Sequence, residues 1–288
     1  MSTGRIPTLF QGLVDDAAVF PPGNAPLGDA IAAHRTHRAS WYAPFVGPLL
    51  VRASQVAELP GDPGFGVGVI GDGGLDRLAA VLDGAVDVRQ VEIAVAKRGE
   101  DPLPGLRALT AWAQERPVDV YAEIPLTWGC VAALDHLAEV GVAYPKFRTG
   151  GLAAELFPSP EDLAAVIVAC AARGLRFKLT AGLHHAVRHQ DPVTGFTHHG
   201  FLNVLVAASE AARGSGVATV AEALRVTEPE QVRLAVQQTS DAVPRPAGVV
   251  GRTGDTERPL WVGFGSCSIH EPLDDLVALH LITEETPA

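Results

Sequence analysis

The sequence predicts an α/β fold, a (β/α)8 TIM barrel, and two features of its 288 residues point to it. Short apolar runs typical of buried strands alternate with helical patterns almost from end to end, which indicates a parallel sheet covered by helices. Eight such units fit a chain of this length. An open doubly wound sheet is the alternative, but the Gly-rich turn that opens such sheets is missing. No linker interrupts the pattern, so we expect residues 1–288 to form a single domain.

Strands and helices are expected where the apolar pattern changes its period. Strands are predicted over Leu13–Phe20, Pro48–Ala53, Phe65–Gly71, Val88–Ala96, Val118–Leu126, Val142–Thr149, Leu175–Leu183 and Leu260–Ser268. Helices are predicted over Leu27–Arg38, Leu75–Leu82, Leu103–Arg116, Trp128–Val140, Pro160–Arg173, Phe201–Ala212 and Pro272–Ile282. Residues 215–258 hold two short amphipathic stretches and a loop rich in Pro, Gly and Arg. They form an insertion between the seventh and eighth barrel strands.

Local signals mark several helix ends. The run Ser159-Pro160-Glu161-Asp162 is typical of a helix start, because proline suits the first turn and acidic residues face the helix dipole. Gly141 and Gly174 stand where two helices are expected to stop. The link between the second and third strands is short and contains proline, so a helix is doubtful there.

Composition and charge limit the classes of partner. The formal net charge is −11, which argues against a nucleic-acid partner and against an anionic membrane surface. No apolar run is long enough to span a bilayer, and no signal peptide is recognised. Three widely spaced cysteines fit a reducing compartment. We therefore expect a cytoplasmic protein that binds a small molecule, and the sequence leaves open a homo-oligomer.

Charged residues lie on one face of several predicted strands. In the fourth strand Val91 and Ile93 share one face, and Glu92 lies on the other. By the same alternation the polar face carries Glu92, Glu123, Lys146, Arg148 and Lys178. We expect these five side chains to converge on the barrel axis, paired with one another because a lone buried charge is costly. They stand in the halves of the strands where active sites of this fold lie, although a purely structural ion-pair network is the alternative.

Five of the ten histidines fall within residues 183–200, directly after the seventh strand. One hypothesis is a divalent metal site for Zn, Mn or Fe, built from His184, His185 and His199 with an acid such as Asp16 or Glu123. The alternative is that these histidines bind substrate oxygens or move protons without a metal. Because neighbouring strand residues point in opposite directions, we expect either His184 or His185 to face the barrel mouth.

Other strand ends supply candidate substrate-binding groups. One member of the Asp15-Asp16 pair should face the barrel mouth, and Asp16 is the candidate. Gly150 follows the sixth strand, where consecutive glycines suit an anion held by backbone N–H groups. The full expected substrate-binding set is Arg148, Gly150, Thr180, His185, His199, Ser266 and Asp16.

The stretches VEIAVAKRG, VYAEIPLTWGC, VAYPKFRTGG and LRFKLTAGLHH resemble the class I aldolase barrels, and deoxyribose-phosphate aldolase is closest in pattern. The resemblance spans residues 88–188. It implies that Lys146 forms a Schiff base, that Lys178 lowers the pKa of Lys146, that Glu92 and Glu123 are the acids, and that Gly263–Ser268 binds phosphate. Arg148 and His184-His185 depart from the family pattern. The chain is also similar to actinobacterial proteins that carry D-D-A-x-x-F-P-P and F-K-x-T-A-G-L-H-H stretches, a likeness that implies no function.

Three hypotheses of function follow. The first is an aldolase-type lyase that acts on a small anionic carbonyl substrate through a lysine imine and requires no cofactor. Its catalytic set is Lys146, Lys178, Glu123, Glu92 and His184. The second is a metal-dependent hydrolase or class II-type lyase that uses the His-rich site. The third is a non-catalytic binder of a small molecule.

Overall fold

Eight parallel strands close into a barrel in the computed structural model, which describes residues 6–60, 63–240, 258 and 260–284. The barrel strands are β1 (Val14–Asp16), β2 (Val46–Arg52), β3 (Val67–Ile70), β4 (Val88–Ala94), β5 (Asp119–Glu123), β6 (Tyr144–Arg148), β7 (Phe177–Thr180) and β10 (Trp261–Ser266). Their order around the barrel is β1-β10-β7-β6-β5-β4-β3-β2, and β1 pairs with both β2 and β10. The structure therefore confirms the (β/α)8 fold and all eight predicted strands.

Helices follow most of the strands, as predicted. They are α1 (Leu27–Ala39), α2 (Gly74–Leu82), α3 (Pro102–Ala113), α4 (Cys130–Val140), α5 (Pro160–Ala172), α6 (Phe201–Ala212), α7 (Val217–Arg225), α8 (Pro229–Ser240) and α9 (His270–Ala278). The side chain of Ser159 caps α5 by accepting from the backbone N–H of Asp162, and Gly141 ends α4 at a φ of 68°. Between β2 and β3 the chain forms a 3-10 turn over Ala53–Glu58, in agreement with the expectation that no regular helix fits there.

The segment between β7 and β10 holds more structure than the sequence indicated, and part of that structure precedes the insertion predicted over residues 215–258. An antiparallel hairpin of β8 (His189–Gln190) and β9 (Thr197–His198) comes first. The carboxylate of Asp191 accepts from Val193 and Thr194 and fixes the hairpin turn. Helices α7 and α8 correspond to the two amphipathic stretches predicted within residues 215–258. The loop rich in Pro, Gly and Arg that was predicted after them falls on residues 241–257, which lie outside the described residues.

The apolar core lies between the barrel and its helices. Phe147, Leu179 and Val120 on the strands are buried, as are Cys130 on α4 and Cys170 on α5. Burial raises the pKa of the Cys130 thiol to about 11 and that of Cys170 further. Both cysteines are therefore packing residues. Within the described residues no helix is both long and apolar enough to cross a membrane.

One buried guanidinium joins the two ends of the chain at the amino-terminal end of β10. Arg258 donates to the backbone carbonyls of Leu9, Gln11, Gly12, Trp261 and Val262. Burial lowers the pKa of Arg258 to about 9. The carbonyl oxygens that surround it compensate for part of the water that this cation loses.

Two helical glycines provide a test of the packing between α3 and the barrel. A Cβ at Gly105 would lie 2.0 Å from the backbone oxygen of Val95, whereas a Cβ at Gly28 on α1 meets nothing within 4 Å. We expect Gly105→Ala to lower the free energy of unfolding by about 1–3 kcal/mol. The matched control Gly28→Ala should raise it by about 0.5–1 kcal/mol, because alanine loses less entropy in a helix. Urea unfolding measures both; equal effects would contradict the close approach at Gly105.

Candidate active site

A network of ion pairs fills the interior of the barrel towards the carboxyl ends of the strands. It contains the five side chains expected on the polar face, together with Asp15 of β1 and Gln90 of β4. Three carboxylates, Asp15, Glu92 and Glu123, face three cations, Lys146, Lys178 and Arg148. The formal charges balance, which is the condition under which buried ions are tolerated.

Glu92 is the bridge between the two lysines. Its Oε2 atom lies 2.6 Å from Nζ of Lys146, and its Oε1 atom lies 2.5 Å from Nζ of Lys178. Lys146 and Lys178 are register partners on the neighbouring strands β6 and β7, so their ammonium groups would otherwise repel each other. Glu92 reaches them from β4, and the contact therefore ties strands that do not pair.

Asp15 and Gln90 extend the network across the barrel. The ammonium of Lys178 donates to Oδ2 of Asp15. The amide of Gln90 donates to the same oxygen at 2.6 Å and to Oε1 of Glu92 at 3.0 Å. The ring of Tyr121 lies 5.0 Å below Nζ of Lys178, and its buried hydroxyl has no hydrogen-bond partner within the described residues. Gln90 and Tyr121 thus position Lys178 and its acids without adding charge.

Glu123 forms the outer edge of the network. Its Oε2 atom lies 2.9 Å from Nζ of Lys146, and its Oε1 atom accepts from Nε of Arg148 at 3.2 Å. Exposure rises along this chain of contacts: Lys146 is 4% exposed, the Glu123 side chain 19% and the Arg148 side chain 44%. Lys146 is therefore separated from solvent by one carboxylate and one arginine.

The network favours the protonated form of both lysines. Burial alone would lower the pKa of Lys146, but the charges of Glu123 and Glu92 outweigh it and raise the pKa. The pKa of Lys178 is raised in the same way, burial being outweighed by Asp15 and Glu92. This direction is opposite to the expectation that Lys178 lowers the pKa of Lys146, because the carboxylate of Glu92 lies between the two ammonium groups.

The two inner carboxylates differ in their affinity for protons. Burial would raise the pKa of Glu92, but Lys146 and Lys178 together lower it to about 2. Burial raises the pKa of Asp15, and Lys178 offsets this only in part while the charge of Glu92 adds to it. Asp15 is therefore the inner acid that protonates first.

An open cleft of about 460 Å³ lies against the outer edge of the network, over the carboxyl ends of β4, β5 and β6. Glu123 and Arg148 form part of its wall. The rest of the wall comes from Ala94, Ala96, Arg98, Ile124, Pro125, Leu126, Glu155, Leu156, Phe157, Pro158, Ser159 and Asp162. A small molecule in this cleft would meet Arg148 and Glu123 first, with Lys146 directly behind Glu123.

The structure places Asp15, not Asp16, inside the barrel. The carboxylate of Asp16 lies 2.9 Å from Nδ1 of His34 on α1 and accepts from the backbone of Ala18, so it points out of the barrel. The selection of Asp16 as the inward residue was wrong. A usable signal existed, because Val14 and Asp16 share a face, and apolar residues mark the outward face on the neighbouring strands.

The predicted histidines do not come together. The Nδ1 atom of His184 lies 2.8 Å from Oε2 of Glu271 and 4.0 Å from Sγ of Cys267. The Nδ1 atom of His185 lies 3.2 Å from Oδ2 of Asp275 on α9. His199 is fully buried between the carbonyl of Pro158 and Arg188. Burial lowers the pKa of His199 to about 4, so this imidazole is neutral and serves packing.

Within the described residues, no group of three His, Cys, Asp or Glu side chains is arranged to hold a metal ion. The hypothesis that His184, His185 and His199 share a metal has no supporting geometry, because each has different partners. The inner carboxylates are all in contact with ammonium groups.

The remaining candidates lie around the barrel mouth but not on the cleft wall. Gly150 packs so closely on Gly182 that a Cβ would lie 2.7 Å from its Cα, so glycine is needed there for packing. Ser266 is buried and accepts from the backbone of Ser268. Thr180 is the register partner of Arg148. Gln90 was missed from the sequence because it lies just outside the quoted motifs. Arg98 lies inside VEIAVAKRG but beyond the end of β4, where the alternation of strand residues makes no prediction.

Comparison with protein-family models, curated proteins and solved structures returns no match for this chain. The fold and the ion-pair network are therefore described from the chain itself. The likeness to class I aldolases continues to depend on the motifs of β4 to β7.

Removing one inner lysine should destabilise the fold. We expect Lys178→Met to lower the free energy of unfolding by about 3–5 kcal/mol at neutral pH, because Asp15 and Glu92 lose a buried partner. Exposed Lys97 is the matched control, and Lys97→Met should change the free energy of unfolding by less than about 0.5 kcal/mol. Urea unfolding of the three proteins measures the effect. A loss as small as that of Lys97→Met would contradict a tightly coupled network.

Glu92 should give stability that depends on pH. Its pKa in the folded chain is about 2, below the ordinary value of 4.5, so its contribution is complete above 4.5 and is lost as pH falls towards 2. We expect the destabilisation caused by Glu92→Gln to shrink across this interval. Unfolding curves measured at several pH values test this, with the exposed Glu58→Gln as control. A pH-independent difference would be inconsistent with an ionised bridge.

Proposed function

We propose that this protein is an aldolase-type lyase in which Lys146 forms an imine with a small carbonyl substrate. The observation that carries the proposal is the position of Lys146, one contact behind the cleft wall and between two carboxylates at 2.6 and 2.9 Å. A nucleophilic amine needs a nearby proton acceptor, an approach for the carbonyl carbon and protection from bulk water. Lys146 has the proton acceptor and the protection from water, and the approach for the carbonyl carbon is through the Glu123 side chain on the cleft wall.

Lys146 is a better nucleophile candidate than Lys178. Lys178 is 1% exposed and lies deeper, against Asp15 and Tyr121. Lys146 touches Glu123, which itself lines the cleft. A side-chain movement of Glu123 is enough to connect Lys146 with the cleft, and Lys178 then remains as a fixed positive charge behind the site.

The covalent step balances without an added reagent. Glu123 takes one proton from the Lys146 ammonium, and the neutral amine adds to the carbonyl carbon. That proton passes to the former carbonyl oxygen, Glu123 then relays a second proton from the nitrogen of the adduct to the same oxygen, and the oxygen leaves as water. Ammonium and carbonyl thus give a protonated imine and water, with the charge unchanged. The protonated imine withdraws electrons from the adjacent carbon–carbon bond, which is the chemistry that an imine-forming lyase needs.

The raised pKa of Lys146 fits a resting state from which the substrate must release the amine. Burial favours the neutral amine, whereas the charges of Glu123 and Glu92 favour the ammonium. If a ligand turns Glu123 away or Glu123 accepts a proton, one of these charges is removed and the pKa of Lys146 falls. The proton acceptor and the group that controls the lysine are then the same residue.

The small number of lysines makes this proposal easy to test, because the sequence contains only Lys97, Lys146 and Lys178. We expect borohydride with acetaldehyde to add one reduced adduct at Lys146, on the order of 100-fold faster than at exposed Lys97. Intact mass and peptide mapping locate the adduct. Lys146→Met should abolish it, with circular dichroism as the check of folding.

Two results would count against the proposal. Adducts confined to Lys97 and the terminal amine would show that neither inner lysine is available as a nucleophile. An adduct at Lys178 with none at Lys146 would move the imine to the deeper lysine and remove the role given to Glu123.

A further inference from the structure

Resting on the proposed function, the geometry points to a 2-oxo acid as the carbonyl substrate, with its carboxylate on Arg148 and its carbonyl carbon at Lys146. Both cations come from β6, two residues apart on the same face of the strand. Both contact the same carboxylate, that of Glu123. The substrate class follows from what could replace Glu123 between them.

The carboxylate of Glu123 spans the distance between the amine of Lys146 and the guanidinium of Arg148. One oxygen contacts Lys146 at 2.9 Å, and the other contacts Arg148 at 3.2 Å. The two oxygens of a carboxylate are joined through one carbon. In a 2-oxo acid the electrophilic carbon and each carboxylate oxygen are likewise joined through one carbon. A 2-oxo acid can therefore bridge the same two cations, with its reactive carbon where an oxygen of Glu123 now lies.

Other carbonyl compounds fit this spacing less well. In a 4-oxo acid the carbonyl carbon is two carbons further from the carboxylate, and in a phosphorylated ketone more atoms intervene. A neutral aldehyde leaves Arg148 without an anion. Arginine recognises carboxylates with two parallel donors, and Arg148 is exposed enough to exchange one carboxylate for another.

The cleft also favours a single negative charge over a phosphate dianion. Two arginines line it, but so do the carboxylates of Glu123, Glu155 and Asp162. The apolar side chains Leu126 and Phe157 on the wall suit a neutral body beyond the oxo acid group. The remote part of the substrate is therefore expected to carry no second strong anion.

The exchange of the Glu123 carboxylate for the substrate carboxylate at Arg148 also starts the reaction. When the substrate carboxylate takes Arg148, Glu123 loses that contact and turns aside, which lets the reactive carbon reach Lys146 while the Glu123 carboxylate stays beside the ammonium. It is then free to accept the proton that Lys146 must lose, and the balanced step described above follows. A substrate without the carboxylate releases Glu123 from Arg148 less readily and reacts more slowly, so recognition and activation depend on the same arginine.

Trapping rates with borohydride test the inference on the complete chain. The probes are pyruvate, its uncharged methyl ester, levulinate and acetaldehyde, and each rate at Lys146 is divided by the rate on free Nα-acetyl-lysine. We expect the normalised rate for pyruvate to exceed the rates for the other three by about 10- to 100-fold, the worth of one charge-assisted contact. In Arg148→Met the ratio of pyruvate to acetaldehyde should fall by the same factor.

Arg98→Met is the matched control, because exposed Arg98 lines the same cleft without contacting Glu123 in the described network. We expect it to change the ratio by less than about threefold. An equal fall in Arg98→Met, or a preference for levulinate, would overturn the assignment of a 2-oxo acid at Arg148. Preferred trapping of acetaldehyde or of the ester would overturn it while leaving the imine intact. If no probe reacts at Lys146, the proposed function itself fails and this inference fails with it.

Discussion

The carboxylate of Glu92 lies between two ammonium groups that the register of β6 and β7 sets side by side. Without that carboxylate, Lys146 and Lys178 would repel each other in a space that water hardly reaches. With it, the ammonium of Lys178 binds Asp15 from β1, and the ammonium of Lys146 binds Glu123 from β5. Barrels of this fold usually fill their interior with branched apolar side chains. In this barrel, ion pairs take the place of apolar side chains towards the carboxyl ends of the strands. The packing of the interior and the chemistry of the site therefore depend on one balanced set of charges.

Strand periodicity was enough to predict the barrel and most of its interior. The alternation of Val91 and Ile93 with Glu92 fixes which face of β4 is inward, and the same rule applies to Lys146 and Lys178. On β1 the same rule places Asp16 on the outward face with Val14, so the prediction of Asp16 as the inward residue was wrong. The contact of Asp16 with His34 of α1 decides it, and that contact joins residues eighteen positions apart in sequence. The alternation of residues along a strand predicts which way a side chain points, but only the tertiary contacts identify the residues that it binds.

What the sequence did not predict was the position of the cleft and the state of the charges. The His-rich stretch suggested a site over β7, but its side chains are distributed among Glu271, Asp275 and Pro158, and the cleft lies over β4 to β6. Proximity of two lysines suggested a lowered pKa for one of them. The acids that contact the two lysines reverse that direction, and these contacts join side chains from five strands, β1, β4, β5, β6 and β7. Long-range charge pairing of this kind has no local signature in the chain.

Arg258 has a consequence for the order in which the protein folds. Its guanidinium binds carbonyls of residues 9 to 12, about as far away in sequence as this chain allows, and it does so beside the strand that closes the ring. Until β10 is in place, β1 and β7 each have one open edge, and β1 is held in the sheet by β2 alone. The strand β1 is synthesised early, whereas β10 is synthesised after nearly all of the chain. Contacts of such long range form slowly. Closure of the barrel is therefore expected to be a late event, and a chain that ends before residue 258 would leave an unfinished ring in which Asp15 and Lys178 lie on strands with open edges.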